Sequence, residues 1–343
     1  MAIQPDADLD LVATTQKQLG TGKFTEIATS LQEYVAMGEI LKKHRVNFES
    51  GTSITFRVMT GTSGAAKNIG LFATDTTAVG DVFQIGEVPW RSSMSSYIID
   101  KHEISINRSP SRIVNLVKAR RADGMIDLVK LMEYPNWWSK PVDSSDTLQP
   151  FGIDYWIVRN ASTGFNGGNP SGFTAGCAGI SSTTYPNWAN YTAAYTTVNK
   201  TDFVAKARAA YTKTGWKQPI ETAGFDTGTS RACYTNYSVI AALETIAEAQ
   251  NDRLGKDVAS MDGEVQFRRS PVKWVPQLDS DTANPFYGVD WGEFKAYILS
   301  DWYMKETGPT EKADQHNVIQ TFIDLTYNFV CTNRRKQFVL YVA

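Results

Sequence analysis

Residues that could support catalysis or bind a metal are few and widely separated in this chain. The three histidines, His44, His102 and His316, form none of the short spacings that hold zinc or haem. Residues 61–64 read Gly-Thr-Ser-Gly but lack the second glycine of a nucleophile elbow. Residues 164–172 contain four glycines but do not end in the Lys-Ser/Thr of a phosphate loop. The sequence therefore predicts no enzyme, no metal site and no cofactor.

One carboxylate pair and a set of tryptophans leave a carbohydrate function open as the alternative. Glycosidases use two carboxylates as acid and base, and Asp290 and Glu293 are a candidate pair. Their offset of three residues puts them on opposite faces of a strand, which weakens the enzyme hypothesis. Four tryptophans, if exposed, would stack on sugars: Trp137, Trp138, Trp156 and Trp188.

Basic side chains provide candidate contacts with neighbouring subunits or with DNA phosphates. Lys67 lies in a predicted loop tip. A first cluster lies in the predicted long helix and contains Lys118, Arg120 and Arg121. A second cluster lies in the predicted C-terminal turn and contains Arg334, Arg335 and Lys336. A merely solvated surface is the competing interpretation for each. If the C-terminal cluster is a contact, changing Arg334 and Arg335 to alanine harms assembly or DNA retention more than monomer folding.

The composition is that of a folded protein with no strong charge bias. The 343 residues are 42% hydrophobic and 20% charged, and the length suggests two or three sub-domains. A net charge of −2 gives no excess of positive charge for reading nucleic acid or coating an acidic membrane. No apolar run approaches the length that spans a bilayer. Nine Trp and fifteen Tyr are a generous number, and such residues are enriched at interfaces.

The N-terminal residues and the cysteines do not have the patterns expected of a secreted chain. Asp6, Asp8 and Asp10 occupy the region where a secretory signal needs basic and then apolar residues. The three cysteines are odd in number and far apart, which predicts unpaired thiols in a reducing compartment.

The most informative elements lie between residues 51 and 134. Residues 52–60 alternate apolar and polar side chains as a half-buried strand, residues 61–80 are rich in small residues, and residues 82–106 form a second extended run. A long helix opens at Ser109 and Pro110 and stops at Pro135. Because an isolated ribbon has little apolar surface, we expect it to lie on something else, often another copy of the chain.

The remaining elements are shorter and give an α+β class. The sequence predicts an arm helix over 22–41, a polar linker over 141–150 and a region of loops and short strands over 151–195. Two helices follow, one from residue 201 and one over 236–254, and then strand-like runs over 264–275 and 293–304. The chain ends with an alternating strand over 323–331, a turn over 332–335 and a final strand over 337–343.

This order of elements resembles tailed-bacteriophage major capsid proteins, which share the Hong Kong ninety-seven capsid fold with encapsulins. Short segments of the amino-acid sequence also carry the resemblance. Residues 188–192 read Trp-Ala-Asn-Tyr-Thr, Tyr195 follows, and Lys-Thr-Asp at 200–202 begins a helix. The ending Cys-Thr-Asn-Arg-Arg-Lys-Gln-Phe-Val-Leu at 331–340 is similar to such chains too. The resemblance covers most of the chain from about residue 22.

The resemblance implies that residues 1–50 form an N-terminal arm and residues 51–95 an extended loop. Residues 96–145 together with 306–343 would form a peripheral domain with a long spine helix, and residues 146–305 an axial domain. It implies a structural subunit that self-assembles into the icosahedral head of a tailed bacteriophage around double-stranded DNA. The location would be the virion, after assembly in the cytoplasm of the host bacterium. Some relatives cross-link a loop lysine to a neighbour, for which Lys67 is the candidate here.

Partners implied by the resemblance are further copies of the chain in hexamers and pentamers, a decoration or cement protein, a scaffold and a portal. The enclosed DNA would be bound without sequence specificity, and no membrane is involved. An encapsulin-like cargo compartment, which shares the fold, is a second alternative.

Overall fold

The computed structural model describes residues 34–71, 80, 82–106, 110–215, 230–250, 265–312 and 314–343. Most of the predicted arm helix, 22–41, therefore lies outside the described residues. The same is true of the last residues of the helix predicted over 236–254 and of 72–79 within the predicted loop tip.

The helices and strands are mixed along the chain, as the α+β class requires. The helices are α1 Met37–Lys43, α2 Lys101–Ile106, α3 Pro110–Leu131, α4 Ile153–Trp156, α5 Phe203–Thr214 and α6 Tyr237–Gln250. The strands are β1 Arg45–Phe48, β2 Ser53–Met59, β3 Phe83–Pro89, β4 Arg91–Asp100, β5 Gly164–Gly167, β6 Asn190–Tyr195, β7 Arg231–Thr235, β8 Gln266–Phe267, β9 Ser270–Trp274, β10 Phe286–Asp290, β11 Phe294–Leu299, β12 Lys305–Lys312, β13 Gln315–Cys331 and β14 Phe338–Val342.

The first sheet is built around β13, the longest strand. Its order is β1-β11-β13-β12, and β4 pairs with β13 as well. Antiparallel β4 lies along residues 318–327 of β13, and the long helix α3 packs against β4. Gly124 permits this packing, because a Cβ there would stand 3.3 Å from Cδ1 of Ile323. The helix thus lies along the sheet as the spine that the sequence predicted.

The second sheet has seven strands in the order β5-β6-β14-β10-β7-β9-β8. Strand β14 lies between β6, to which it is parallel, and β10, to which it is antiparallel. Phe203, Tyr211 and Phe338 belong to the apolar cluster that joins α5 to this sheet. Gly288 of β10 faces the Phe338 ring so closely that a Cβ would lie 2.0 Å from the ring atom Cε1. Any larger residue at 288 would force the ring away.

Strand pairing departs from the predicted sub-domain ranges at three places. Strand β11 falls in the predicted range 146–305 but pairs with β13 in the first sheet. Strand β14 falls in the predicted range 306–343 but lies between β6 and β10 in the second sheet. Strand β1, assigned to the arm, is parallel to β11. Alternation of side chains identifies a strand but not its partner, which is why the ranges differ.

Two other expectations need correction. The extended run predicted over 82–106 is two strands followed by the helix α2, which begins at Lys101. Strands β7, β10 and β12 were not predicted. In β10 every residue is buried, so there is no alternation to detect, and β12 is almost entirely exposed. The predicted strand over 52–60, the long helix and the helix near residue 201 are confirmed.

A buried aromatic cluster joins the end of the spine to the first sheet. The Trp137 ring stacks on Trp291 with ring centroids 5.6 Å apart. Its edges meet Phe294 and Phe329, each at 4.9 Å. Because aromatic side chains bury large apolar areas, this cluster fixes where the long helix ends relative to β11 and β13.

The hairpin between β8 and β9 has an unusual turn. Its two loop residues, Arg268 and Arg269, both have positive φ angles, 49° and 68°. Two-residue hairpin loops of this kind favour Asn-Gly, because most other residues are strained there. Left-handed backbone costs an ordinary residue about 1–2 kcal/mol.

We predict that Arg268→Asn with Arg269→Gly raises the free energy of unfolding by about 1–2 kcal/mol, because the strain is relieved. Urea denaturation followed by circular dichroism measures the change. The control is Arg268→Lys with Arg269→Lys, which keeps both charges and the strain and should leave stability unchanged. Equal stability of the Asn-Gly and Lys-Lys variants would show that the turn carries no strain.

Candidate assembly surface

The ribbon formed by β2 and β3 lies on the body of its own chain through one face. Ile54 and Val88 are buried on that face, and Phe56 packs beside them. The Phe56 ring is 6.4 Å from the Trp156 ring and 6.3 Å from the Trp188 ring. The ribbon was expected to lie on another surface, often a second copy, and for this inner face the surface belongs to the same chain.

Hydrogen bonds fasten the ribbon along its length. The backbone N–H of Glu87 donates to the carbonyl of Ala178 at 3.0 Å. Near the far end, the side-chain amide of Asn187 donates to the carbonyl of Thr60 at 3.0 Å. The other side-chain atom of Asn187, Oδ1, accepts from Arg335 at 2.6 Å. Arg335 therefore helps to hold the ribbon through Asn187.

The outer face of the ribbon is apolar and exposed. Met59, Phe83 and Ile85 are 50%, 55% and 66% exposed. Arg57 is exposed on the same face, directly across from Ile85 in the pairing of the two strands. Lys67, beyond the end of β2, is also exposed. Glu87 is exposed on this face as well, two residues beyond Ile85, so the face carries both a positive and a negative charge. We call Arg57, Met59, Phe83, Ile85 and Glu87 the ribbon outer face. Such a contiguous apolar stripe is typical of a protein–protein contact.

Arg334 is fully buried and acts as an internal cross-link. Its guanidinium is within hydrogen-bonding distance of oxygens from four separate backbone carbonyls and one side-chain amide: Trp156, Gly167, Gly168, Trp188 and Asn190. A charge at this depth is tolerated because these oxygens replace its water. The sequence suggested a surface contact for Arg334, and its burial corrects that: the effect of removing Arg334 falls on folding first.

The neighbours of Arg334 have different surroundings. Arg335 is exposed and its guanidinium lies 4.2 Å from the centre of the Phe165 ring. Lys336 is buried, and its ammonium group is 2.8 Å from Oε1 of Glu293. Of the predicted C-terminal cluster, the structure therefore leaves Arg335 alone at the surface.

The basic cluster on the long helix is also partly occupied by its own chain. Arg120 forms two hydrogen bonds of 2.7 Å with Glu103. Arg121 pairs with Glu306 of β12. Lys118 is exposed. The two arginines thus connect α3 to α2 and to β12, and Lys118 keeps its ammonium group at the surface.

A buried carboxylate holds the start of α1. Glu133, just after α3, accepts hydrogen bonds from the backbone N–H groups of Ala36 at 3.1 Å and Met37 at 2.7 Å. The indole N–H of Trp138 donates to it at 2.7 Å. Burial raises the pKa of Glu133 to about 7, against the lowering effect of these three bonds. We call this arrangement the Glu133 clasp.

The residues proposed for a carbohydrate site are buried, which contradicts that alternative. All four tryptophans, Trp137, Trp138, Trp156 and Trp188, lie in the core rather than at the surface. Asp290 accepts from the backbone N–H groups of Ser230 and Gly292, and Glu293 pairs with Lys336. These contacts are structural, and no sugar could reach the pair.

The other expected features concern thiols, metals and membranes. Cys177, Cys233 and Cys331 are unpaired and buried, as the sequence predicted. Among the described residues, no group of three or more acidic, histidine or cysteine side chains could hold a metal ion. None of the helices in the described part of the chain has the length and apolar character needed to cross a membrane.

Sequence reasoning missed the Glu133 clasp and the latch formed by Arg335 and Asn187. A signal for the first was present: Glu133 follows Met125 and Val129 at helical spacing, so a carboxylate stands on the apolar side of the helix. Arg335 and Asn187 are 148 positions apart in the sequence, so no local pattern predicts this latch.

Comparison with solved structures identifies the fold. A chain of the cyanophage A-1(L) capsid asymmetric unit shares 16% identity, covering 92% of this chain and 94% of that chain, with a TM-score of 0.61. The capsid of a native GTA particle shares 12% identity, covering 94% of each chain, with a TM-score of 0.60. A chain of Mycobacterium phage Ogopogo shares 10% identity, covering 100% of each chain, with a TM-score of 0.53. No protein-family model and no curated sequence matches. The chain thus has the Hong Kong ninety-seven capsid fold expected from the resemblance.

We predict that Arg334→Met lowers the free energy of unfolding by about 3 kcal/mol or more, because several buried oxygens lose their donor. The matched control is Arg335→Met, for which we expect a loss of about 1 kcal/mol or less because the group is exposed. Chemical denaturation of both variants measures the difference. Similar losses at the two positions would contradict the role assigned to Arg334.

We also predict that the pH dependence of stability changes in Glu133→Gln. The folded-state pKa of Glu133 is about 7, above the ordinary 4.5, so its contribution is fully present below 4.5 and is lost as pH rises through 7. Relative to the native chain, the variant should gain about 3 kcal/mol between about pH 5 and about pH 8. His44, whose pKa burial lowers, titrates in both chains and cancels. A difference that does not vary with pH would show that burial does not raise the pKa of Glu133.

Proposed function

We propose that this chain is the structural subunit of an icosahedral shell, the head of a tailed bacteriophage, which encloses double-stranded DNA. The observation that carries the proposal is the ribbon outer face, where Met59, Phe83 and Ile85 form an exposed apolar stripe. The capsid fold supports the same conclusion. The role is mechanical, and we assign no catalytic residue.

The parts of the chain have distinct proposed roles. Residues before β1 serve as the arm, the ribbon as the extended loop, the first sheet with α3 as the peripheral domain, and the second sheet with α5 and α6 as the axial domain. By this assignment β11 joins the peripheral domain and β14 the axial domain, which follows the observed strand pairing.

The proposed partners are other copies of the chain, arranged in hexamers and pentamers. A decoration or cement protein, a scaffold and a portal complete the proposed set, and the particle is the virion, assembled in the host bacterial cytoplasm. For DNA or subunit contacts we retain the exposed residues Lys67 and Lys118, and also Arg335, whose exposed guanidinium would make the contact while still bonded to Asn187. Arg120 and Arg121 are paired within the chain, and Arg334 and Lys336 are buried.

The test is whether the purified chain forms closed particles. We expect size-exclusion chromatography to give megadalton species and negative-stain microscopy to show round shells. Removing residues 61–80 should leave a soluble, folded chain that closes no shells, because the loop beyond β2 no longer reaches a neighbour.

The deletion needs a folding control. Far-ultraviolet circular dichroism and thermal unfolding of the shortened chain should match those of the full chain, since the ribbon's inner face and its seat remain. A full chain that stays monomeric at high concentration would contradict the proposed function. Normal shells from the shortened chain would contradict the role given to the loop.

A further inference from the structure

A cavity of about 590 Å³ lies beside the second sheet, away from the ribbon. Its described walls come from α1, the end of α5, the start of β7, the β8–β9 hairpin and the residue after β10. Cavities that bind small molecules have volumes of about 300–1,000 Å³, so this one has room for such a ligand. The proposed shell function gives it no role.

Positive charge predominates among the described residues that line the cavity. They include three arginines, Arg231, Arg268 and Arg269, and one acidic residue, Glu39. The carboxylate of Glu39 is already neutralised, because the ammonium group of Lys273 lies 2.5 Å from its Oε2 atom. The cavity wall therefore favours an anion.

Arg231 is the deepest of the three arginines. Its side chain is only 8% exposed, and it donates to the carbonyls of Tyr211 and Thr214 at the end of α5. Its Nε atom lies 3.9 Å from Oδ2 of Asp290, and neither atom has a hydrogen-bond partner within the described residues. Asp290 thus offsets the charge of Arg231 from a distance, but it does not take up the remaining N–H groups of the guanidinium.

The other two arginines form the turn of the β8–β9 hairpin, and both are exposed. The guanidinium of Arg268 is held at the cavity by a hydrogen bond of 3.0 Å to Oγ1 of Thr212. In the part of the chain that the structure describes, Arg269 has no hydrogen bond and neither arginine pairs with a carboxylate. These two residues supply the uncompensated charge.

The backbone of this turn indicates that the arginines are present for their side chains. Both have positive φ angles, a conformation for which asparagine and glycine are better suited. Residues held in rare backbone conformations are concentrated at ligand-binding and catalytic sites. A hairpin turn does not itself require arginine, so a role for the two guanidinium groups in the cavity accounts for residues that the backbone disfavours.

We propose that this cavity binds a small molecule that carries a phosphate or diphosphate group, whose oxygens are held by Arg231, Arg268 and Arg269. The planar guanidinium group matches phosphate oxygens through paired hydrogen bonds. The exposed side chain of Ser230 lines the same cavity and supplies a further hydroxyl donor. Binding here does not depend on the proposed function, because the lining residues belong to one chain.

The depth of Arg231 favours a small ligand over a macromolecular surface. A DNA duplex or a flat protein surface would reach the exposed Arg268 and Arg269, but it would not reach a side chain that is only 8% exposed. A small phosphate group can enter the cavity and contact all three guanidinium groups.

Isothermal titration calorimetry of the full chain with pyrophosphate tests the proposal, in phosphate-free buffer at constant ionic strength. The test variant is Arg268→Asn with Arg269→Gly, whose turn is expected to be more stable than the native one, so a loss of binding would not reflect unfolding. We expect the affinity for pyrophosphate to fall at least about tenfold, because hydrogen bonds between charged groups are lost.

Two matched variants separate the cavity from general surface charge. Lys118→Gln with Lys130→Gln removes the same net charge from exposed positions of α3 and should leave the affinity unchanged. Ser230→Phe keeps all three arginines but narrows the cavity, and it should also lower the affinity about tenfold. Circular dichroism of each variant confirms that it is folded.

Two further ligands test the chemical class and the source of the phosphate. Malonate, a small dicarboxylate, should bind more weakly than pyrophosphate because it offers fewer charged oxygens. A short DNA duplex should bind equally to the native chain and to Ser230→Phe, since it cannot enter the cavity.

Several outcomes would overturn the proposal. These are no binding of pyrophosphate, equal binding by the Asn-Gly variant, no loss in Ser230→Phe, an equal loss in the α3 variant, or tighter binding of malonate. Binding of the duplex that requires the two turn arginines, without binding of pyrophosphate, would also overturn it and would indicate a surface contact with DNA. A chain that binds pyrophosphate as expected but never forms shells supports this site and contradicts only the proposed function.

Discussion

The buried guanidinium of Arg334 is the constraint on which the arrangement of this molecule depends. It collects oxygens from α4, from the end of β5, from the turn before β6 and from β6 itself. Two of those residues, Trp156 and Trp188, are the rings on which the ribbon rests through Phe56. The position of the ribbon is therefore set from inside the second sheet. A charge without its oxygens would be costly here, so the loops and the arginine must assemble together.

The short turn that contains Arg334 also joins the two sheets. The turn at residues 332–337 follows β13, which pairs with three strands of the first sheet, and precedes β14, an interior strand of the second sheet. Lys336 pairs with Glu293 at the start of β11, so the turn is tied to the first sheet as well. With Arg334 held by the second sheet, the connection is fixed from both sides. The relative placement of the sheets thus comes from side chains in the link between them as well as from the aromatic cluster around Trp137.

Local patterns in the sequence were enough for elements whose burial alternates or follows a helical period, such as β2, α3 and α5. They failed for β10, which is buried on both faces, and for the partners of β11 and β14, because pairing depends on distant residues. Arg334 and Arg335 show the limit most clearly. They are identical neighbours, yet one is enclosed and the other exposed. What separates them is the convergence of loops from 144 to 178 residues away, which no local pattern records. The tryptophans misled for the same reason, since their amphipathic rings suit surfaces and cores alike.

The Glu133 clasp also determines how the molecule transmits force. The chain before β1 meets the body at Ala36 and Met37, whose N–H groups are held by a side chain at the end of the long helix. Force on α1 is therefore shared by Glu133 after α3, by Lys273 of β9, which pairs with Glu39, and by the pairing of β1 with β11. The long helix in turn lies along β4 and is braced at Arg120 and Arg121. A load on α1 is therefore distributed over several elements and does not fall on the edge strand β1 alone.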